Sequence, residues 1–336
     1  MKQITIKDIA KEAGVSIASV SRALNGTDGI SEASRKRILD VCDRMNYTPN
    51  GLARGLVKRK TQTIGIVIPD IMSPFYSELA VLASDASHKR GYQALLCNSF
   101  RELGTEERYL KLLVEHQVEG ILIFPIGVRS EATMEKYSRN LPIVSLNETS
   151  TPCHIPYVCA DERQAGRIAA EYLISRGCKD LLFLGFKKER LAHRLRAESF
   201  LNAAADMRIP AQIYECQTDF RTSFERGYDH FRHLLTSGRD LPDGIVAASD
   251  ATANGIVKAC KENGIRIPED FSLIGFDNIS TELPYLDLTT VAISHEKQIE
   301  TAVNLLTEMI IQGPLSLAKS RIKLEPRLIV RRSCKN

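Results

Sequence analysis

The sequence lacks any long apolar run. No stretch reaches the length of about 18 apolar residues that a membrane-spanning helix requires. The residues after Met1 also lead directly into an amphipathic pattern, without the apolar stretch of a secretory signal peptide. These absences argue against an integral membrane protein, and we expect a cytoplasmic chain with no membrane partner.

Motifs of catalysis and metal binding are also missing. The eight cysteines form no C-x-x-C pair, which argues against zinc ribbons and redox motifs. The seven histidines include no pair at metal-binding helical spacing beside a glutamate. Neither G-x-S-x-G nor a phosphate-binding G-x-x-x-x-G-K-S/T loop occurs. The sequence therefore predicts no catalytic residues, no metal site and no cofactor.

Charge is nearly balanced over the whole chain but is distributed unevenly. The net charge of the 336 residues is +4. Residues 1–60 hold twelve lysines and arginines against six aspartates and glutamates, so this segment is basic while the remainder is close to neutral. A basic segment of this kind is typical of a protein that binds a polyanion such as nucleic acid.

The first 49 residues predict three short helices. Thr5 and Asp8 have capping-box spacing at the start of the first helix, and Gly14 ends it. Ser16 is placed to cap a second helix and Ser31 a third. Two short helices joined by a glycine turn within a basic segment favour a helix-turn-helix over an ordinary helical hairpin.

Beyond residue 62, short apolar runs alternate with longer amphipathic stretches. This alternation predicts parallel strands covered by helices on both faces, and seven units are better divided between two doubly wound lobes than placed in one sheet. A cleft at the carboxyl ends of the strands is then the expected ligand site. The apolar runs are 64–68, 94–97, 120–124, 143–146, 181–184, 245–248 and 273–276.

Ordered motifs along the whole chain resemble the lac repressor/galactose repressor family of bacterial transcription regulators. The motifs are Asp8-Ile9-Ala10, Ala13-Gly14-Val15-Ser16, Val20-Ser21-Arg22 with Asn25, Asn46-Tyr47 with Pro49-Asn50, Ile64 to Pro69, Phe75-Tyr76, Asp277-Asn278, and Arg327-Leu328-Ile329 with Arg331-Arg332-Ser333.

The resemblance implies an α/β chain with an N-terminal all-α helix-turn-helix domain and two doubly wound parallel-sheet lobes of periplasmic-binding-protein type. The implied domains are a DNA-binding domain at 1–49, a hinge helix and linker at 50–62, and an effector-binding and dimerisation domain at 63–336.

The resemblance also implies which residues meet DNA. Ile17, Ala18 and Arg22 take the base-reading positions, and the chemistry agrees, since arginine can pair with guanine while the other two offer apolar surface. Hinge residues Asn50, Ala53 and Leu56 are expected at the minor groove, with the leucine wedged into a base step. The remaining predicted DNA contacts are Thr5, Ser16, Ser19, Asn25 and Ser31, of which Ser31 could equally be a helix cap.

For the cleft, the resemblance implies a pocket for a small polar effector. An aromatic floor with an arginine and opposed carboxylates suits a ring with polar substituents. Asn147 stands where sugar-binding members often carry aspartate, and Asp161 could simply cap the following helix. The predicted effector residues are Phe75, Tyr76, Asn147, Asp161, Arg190, Arg196, Phe220, Asp250 and Asp277.

We therefore expect a homodimeric repressor that binds a near-palindromic operator in double-stranded DNA and responds to a sugar or related small molecule. The chain ends without the family's tetramerising heptad extension, which favours a dimer. Two alternatives stay open from the sequence. The regulator could answer to a protein corepressor such as a phosphocarrier, or the chain could be a sugar- or nucleotide-processing enzyme with a basic arm.

Overall fold

The computed structural model describes residues 4–25, 28–47, 61–150, 153–186, 188, 190–214, 222–279 and 287–335. The chain divides into two compact units, Met1–Thr61 and Gln62–Asn336. The predicted hinge residues Asn50, Ala53 and Leu56 lie outside the described residues, as do Phe220 and the side chain of Asn25.

The first unit contains three helices around a small apolar core. The helices are α1 (Ile6–Ala13), α2 (Ile17–Asn25) and α3 (Glu32–Arg44). The core is formed by Ile9, Ala10, Ala13, Val20, Ala23, Ile38, Val41 and Cys42. Gly14 ends α1 at φ 65°, a left-handed conformation that glycine adopts without steric cost. The predicted helical order and the turn are confirmed.

The second unit consists of two lobes, each built on a six-stranded sheet. Its strands are β1 (Thr63–Ile68), β2 (Gln93–Asn98), β3 (Gly120–Ile123), β4 (Ile143–Ser145), β5 (Tyr157–Ala160), β6 (Leu181–Leu184), β7 (Ala211–Ile213), β8 (Gly244–Ala247), β9 (Ser272–Phe276), β10 (Thr289–Ala292), β11 (Arg321–Leu324) and β12 (Arg327–Ile329). Its helices are α4 (Pro74–His88), α5 (Leu103–Glu115), α6 (Ser130–Ser138), α7 (Glu162–Ser175), α8 (Leu191–Asp206), α9 (Ser223–Thr236), α10 (Asp250–Glu262), α11 (His295–Gln312) and α12 (Leu317–Ser320).

The strand orders are β11-β5-β4-β3-β1-β2 in lobe 1 and β12-β10-β9-β8-β6-β7 in lobe 2. Neighbouring strands are parallel except for the antiparallel pair β10 and β12. Each lobe buries an apolar layer on both faces of its sheet. This arrangement confirms the two doubly wound lobes expected from the sequence.

The chain passes between the lobes three times, after β5, after β10 and after β11. Strand carboxyl ends and helix amino ends therefore meet where the two lobes face each other. Among the described residues, no helix has the length and apolar composition needed to cross a membrane.

Candidate functional site

Helix α2 exposes the side chains that the sequence predicts to read bases. Ile17 is 45% exposed although it is a large apolar residue, and Ala18 and Arg22 are exposed beside it. The opposite face is occupied, because Val20 and Ala23 are buried in the three-helix core. An apolar side chain next to an arginine on a solvent-facing helix leaves both groups available for a partner.

Ser16 and Ser19 are engaged at the beginning of α2. The backbone N–H of Ser19 donates to Ser16 Oγ at 3.1 Å, and the two hydroxyls lie 2.9 Å apart. Ser16 therefore caps the helix, as its position in the sequence predicts. Both residues border the exposed face of α2.

Thr5 and Ser31 also hold helix ends. The Thr5 N–H and hydroxyl donate to the Asp8 carboxylate at 2.9 and 2.7 Å. The Ser34 N–H donates to Ser31 Oγ at 3.3 Å at the start of α3. The capping alternative for Ser31 is thus present in the structure, and a contact of either residue with DNA stays a prediction.

A cavity of about 120 Å³ lies between the two lobes of the second unit. It has room for several water-sized groups, the scale of a small polar molecule. Six of the predicted effector residues line it: Phe75, Tyr76, Asn147, Arg190, Arg196 and Asp277. Both lobes contribute, since the first three precede β5 and the last three follow it.

Arg196 is the centre of a largely buried charge cluster on the lobe 2 wall. Its guanidinium forms a two-pronged ion pair with Glu162, in which Nη2 lies 3.1 Å from Oε1, and Nη2 also donates to Asp277 Oδ1 at 3.4 Å. Nη1 donates to the Ala248 carbonyl at 3.1 Å, and the Phe276 ring lies 4.5 Å below the guanidinium carbon. Four of its five N–H groups are thus engaged within the described residues.

Burial and charge act against each other in this cluster. Burial acts to lower the pKa of Arg196, but the carboxylates of Glu162 and Asp277 outweigh it and hold the guanidinium pKa above its ordinary value. Burial raises the pKa of Glu162, and Arg196 offsets that rise only in part. One cation therefore serves two carboxylates in this cluster.

The lobe 1 wall combines aromatic rings with charged pairs. The Phe75 ring meets Tyr76 and His295 edge-on, at centroid distances of 5.1 and 5.5 Å. His295 Nδ1 lies 3.0 Å from Glu78 Oε1. Arg101 lines the cavity too and pairs with Asp70 at 3.2 Å. These pairs hold the wall in place before any ligand enters.

Next to Asn147, the cavity wall contains a partly satisfied carboxylate. Glu148 Oε1 pairs with Lys323 Nζ at 2.9 Å, whereas its Oε2 is buried without a hydrogen-bond partner among the described residues. The Gln298 amide fixes the adjoining backbone by donating to the Leu146 and Val158 carbonyls at 3.0 and 2.9 Å.

Two predicted effector residues are not brought to the cavity. Asp161 caps α7, accepting from the N–H groups of Arg163 and Gln164 at 3.1 and 3.2 Å. Asp250 is 3% exposed and points behind the wall, accepting from the Thr290 hydroxyl at 2.8 Å and the Ile279 N–H at 3.0 Å. Burial and the charge of Asp277 raise the pKa of Asp250 well above its ordinary value. In the structure both carboxylates serve the fold around the site, and a direct contact of either one with an effector stays a prediction.

Several lining residues were missed from the sequence. Many of their partners are distant along the chain, as Arg196 is from Glu162, so local patterns do not mark them. The position of Glu162, close after the end of β5, is a signal that could have found it. The missed polar lining residues include Ser73, Arg101, Glu131, Glu148, Glu162, His193, Ser223, Ser249, His295 and Gln298.

Comparison with known proteins identifies the two units. Residues 5–50 match the family described as bacterial regulatory proteins, lacI family, and residues 170–334 match the periplasmic binding protein-like domain. The transcriptional repressor PurR of Actinobacillus pleuropneumoniae is 30% identical over 99% of this chain and 98% of its own length. The chain belongs to the lacI family of bacterial regulatory proteins.

Solved structures agree with this assignment. A lac repressor dimer bound to operator and an anti-inducer shares the fold at a TM-score of 0.85, with 21% identity and full coverage of both chains. A LacI transcriptional regulator from Alkaliphilus metalliredigens complexed with D-xylulofuranose has 27% identity and a TM-score of 0.70, covering 82% of this chain and 100% of that one.

This lacI-family chain is therefore a DNA-binding transcription regulator of the repressor type, with a periplasmic-binding-protein-like effector domain. Relatives that are 30–33% identical over nearly the whole chain are named as regulators or repressors of transcription, which removes the enzyme alternative. Among the described residues, no group of three or more histidine, cysteine, aspartate or glutamate side chains is arranged to hold a metal ion.

Proposed function

We propose that this regulator represses transcription as a homodimer, reading its operator with α2 and responding to a small hydroxylated effector in the inter-lobe cavity. The observation that carries the DNA-binding part is the exposed face of α2, where Ile17, Ala18 and Arg22 project from a helix whose other face is buried. Exposed side chains of this kind suit the major groove, with arginine paired to guanine. Since operators lie in the bacterial cytoplasm, we infer that the protein acts there.

The remaining DNA contacts are proposed from the family pattern. Thr5, Ser16, Ser19, Asn25 and Ser31 suit phosphates at helix ends. Asn50, Ala53 and Leu56 belong to the proposed hinge at 50–62, which would insert Leu56 into the minor groove.

The homodimer is supported by an apolar edge on lobe 1. Strand β2 lies at the edge of its sheet, and Leu95 and Leu96 are exposed on it. Val81 on α4 and Phe100 after β2 are 68% and 65% exposed. Sheet edges and apolar surface of this kind are typical of protein interfaces. A second copy of the chain would also supply the second recognition helix of a palindromic operator.

The effector class follows from the donors and acceptors of the cavity. Arg196 has one N–H group left after its bonds within the described residues, while Glu148, Glu162 and Asp277 offer carboxylate oxygens. Hydroxyl groups of a sugar-sized molecule can donate to these oxygens and accept from the arginines that also line the cavity, Arg101 and Arg190. The sugar bound in the Alkaliphilus regulator supports the same class.

Binding of such an effector would favour one closure of the lobes over another, because residues of both lobes contact the cavity. The shift in population would then alter operator affinity through residues 50–62. Control by a protein corepressor stays the alternative, and the cavity is the observation against it.

The test begins with selection of bound DNA from a random pool, with and without a mixture of sugars and sugar phosphates. Operator enrichment that changes with a neutral sugar supports the proposal.

We then expect Asp277→Ala to abolish the effector response while operator affinity without effector stays within about twofold. Asp206→Ala, which removes an exposed carboxylate from α8 of the same lobe, is the matched control. A response retained at unchanged sugar concentration in the Asp277 variant would overturn the role of the cavity.

A further inference from the structure

The turn that carries Asp277 has an unusual backbone. Asp277 and Asn278 both have positive φ, at 98° and 51°. Asparagine and aspartate tolerate the left-handed region near +57°, but 98° lies beyond it. A residue of this kind keeps its conformation only where its surroundings fix it. The direction of the Asp277 carboxylate therefore depends on what holds this turn.

Three backbone N–H groups of the turn donate hydrogen bonds to neighbouring elements of lobe 2. The Asp277 N–H donates to the Val291 carbonyl at 3.1 Å. The Asn278 N–H donates to Thr290 Oγ1 at 3.3 Å, and the Ile279 N–H donates to Asp250 Oδ2 at 3.0 Å. Asp250 and Thr290 are themselves joined at 2.8 Å. The buried Asp250 carboxylate therefore holds the turn at 277–279 through hydrogen bonds.

The Arg331 side chain connects the turn to the residue that precedes β10. Its Nη2 donates to Asn278 Oδ1 at 2.6 Å, and its Nη1 donates to the Leu288 carbonyl at 2.7 Å. The planar guanidinium holds the two acceptors at a fixed separation, which a lysine could not do. One acceptor belongs to the turn and the other precedes β10, so the arginine links the turn to its supporting strand.

The segment that carries Arg331 is itself anchored. The Arg331 N–H donates to Thr289 Oγ1 at 3.0 Å. Ser333 Oγ donates to the Leu273 carbonyl at 2.6 Å and accepts from the Thr289 N–H at 2.8 Å. The guanidinium is therefore placed by β9 and β10.

We propose that Arg331 and Asp250 are positioning residues for Asp277, acting on effector recognition from outside the cavity. The proposal rests on the proposed role of Asp277 in effector binding. Neither residue lines the cavity. Each reaches Asp277 through its neighbours, Arg331 through the Asn278 side chain and Asp250 through the Ile279 backbone.

Amide hydrogen exchange of the full-length protein tests the positioning step without any ligand. Arg331→Ala should accelerate exchange in peptides covering 277–279 by about tenfold, as loss of a hydrogen bond to a charged group implies. Arg332→Ala is the matched control, because that neighbouring arginine is 87% exposed and pairs with Asp287 at 2.9 Å. It should leave exchange at 277–279 within twofold. Equal exchange in the two variants would overturn the proposal.

Two further variants separate positioning from general destabilisation. Arg331→Lys should give an intermediate rate, since an ammonium can serve one acceptor but not both at the same spacing. In an Asn278→Ala background, Arg331→Ala should add nothing at 277–279, because the side chain through which it acts is gone. Acceleration that adds fully in the double variant, or spreads equally over α8 and α10, would contradict the mechanism.

A binding measurement with D-xylulose as the probe separates this inference from the proposed function. Arg331→Ala should weaken binding about tenfold, with Arg332→Ala unchanged. Faster exchange at 277–279 with unchanged sugar affinity would overturn the link to recognition. Loss of affinity in Arg331→Ala but not in Asp277→Ala would instead contradict the proposed role of Asp277.

Discussion

The helical unit and the two-lobed unit differ in the exposure of the side chains that we propose to act in binding. On α2, Ile17 and Arg22 are exposed on a helix whose inward face is filled. In the cavity, Glu162 is buried, Arg196 and Asp277 are largely buried, and both carboxylates pair with the arginine. The exposed side chains of α2 would lose their bound water only when the helix meets DNA. The charges of the cavity cluster are desolvated when the protein folds, so a ligand would bind to side chains that are already ordered.

The largest expected effect on stability comes from removing the Glu162 carboxylate from the cavity wall. Its carboxylate is 6% exposed and pairs with Arg196. Glu162→Ala leaves a buried guanidinium with Asp277 as its remaining carboxylate, and we expect the free energy of unfolding to fall by about 3–5 kcal/mol. Urea unfolding of the full-length chain measures this loss.

Glu171→Ala is the control for that experiment. Glu171 is on the same helix, α7, and pairs with Arg167 at 2.7 Å, but both side chains are about half exposed. Exposed pairs contribute roughly 0–1 kcal/mol. Comparable losses in the two variants would show that burial does not strengthen the Arg196 cluster, and the contrast between the units would lose its energetic basis.

The exposed side of the comparison is tested at Arg22. Arg22→Ala should cost about 1–3 kcal/mol per half-site and relax the preference at one base pair, as loss of a guanine contact implies. Affinity for the selected operator and for its single-base variants measures both effects. Protein stability should change little, because the side chain is exposed.

Lys36→Ala provides the contrast for Arg22. This lysine is exposed on α3, and a phosphate contact there would lower affinity equally for all sequences and flatten the salt dependence by about one unit. If Arg22→Ala produced that same uniform pattern, its role in reading bases would be wrong.

The two units also differ in how much of their structure can be predicted from the sequence alone. Helix periodicity, capping residues and Gly14 are local signals, and they locate α1 to α3 well. The long buried strands were equally visible as apolar runs. Five of the described strands were missed: β7 and β12 have three residues each, β11 carries Arg321 and Lys323, and β5 and β10 are buried but lack a run of large apolar residues, with the sequences YVCA and TTVA.

The cavity depends on contacts between distant parts of the chain, which a single sequence does not reveal. Glu162 and Arg196 are 34 positions apart, and Arg331 meets Asn278 across 53. A carboxylate next to a strand end can point into the cleft or behind the wall. Asp277 does the first and Asp250 the second, and only packing decides between them.

The smallest effect concerns Ser31, where a helix cap and a phosphate contact compete as explanations. Its Oγ accepts the Ser34 N–H at the start of α3. Ser31→Ala should cost about 1 kcal/mol, seen as roughly fivefold faster amide exchange in peptides covering α3 of the full-length protein. Ser31→Asp separates the two roles, because aspartate also caps helices but repels phosphate. We expect the aspartate variant to retain the protection of α3 and to weaken operator binding if the hydroxyl lies against the DNA backbone. Normal operator affinity in the aspartate variant would assign Ser31 to helix capping and remove it from the DNA interface, leaving Ile17, Ala18 and Arg22 as the exposed surface that distinguishes this unit from the buried cavity.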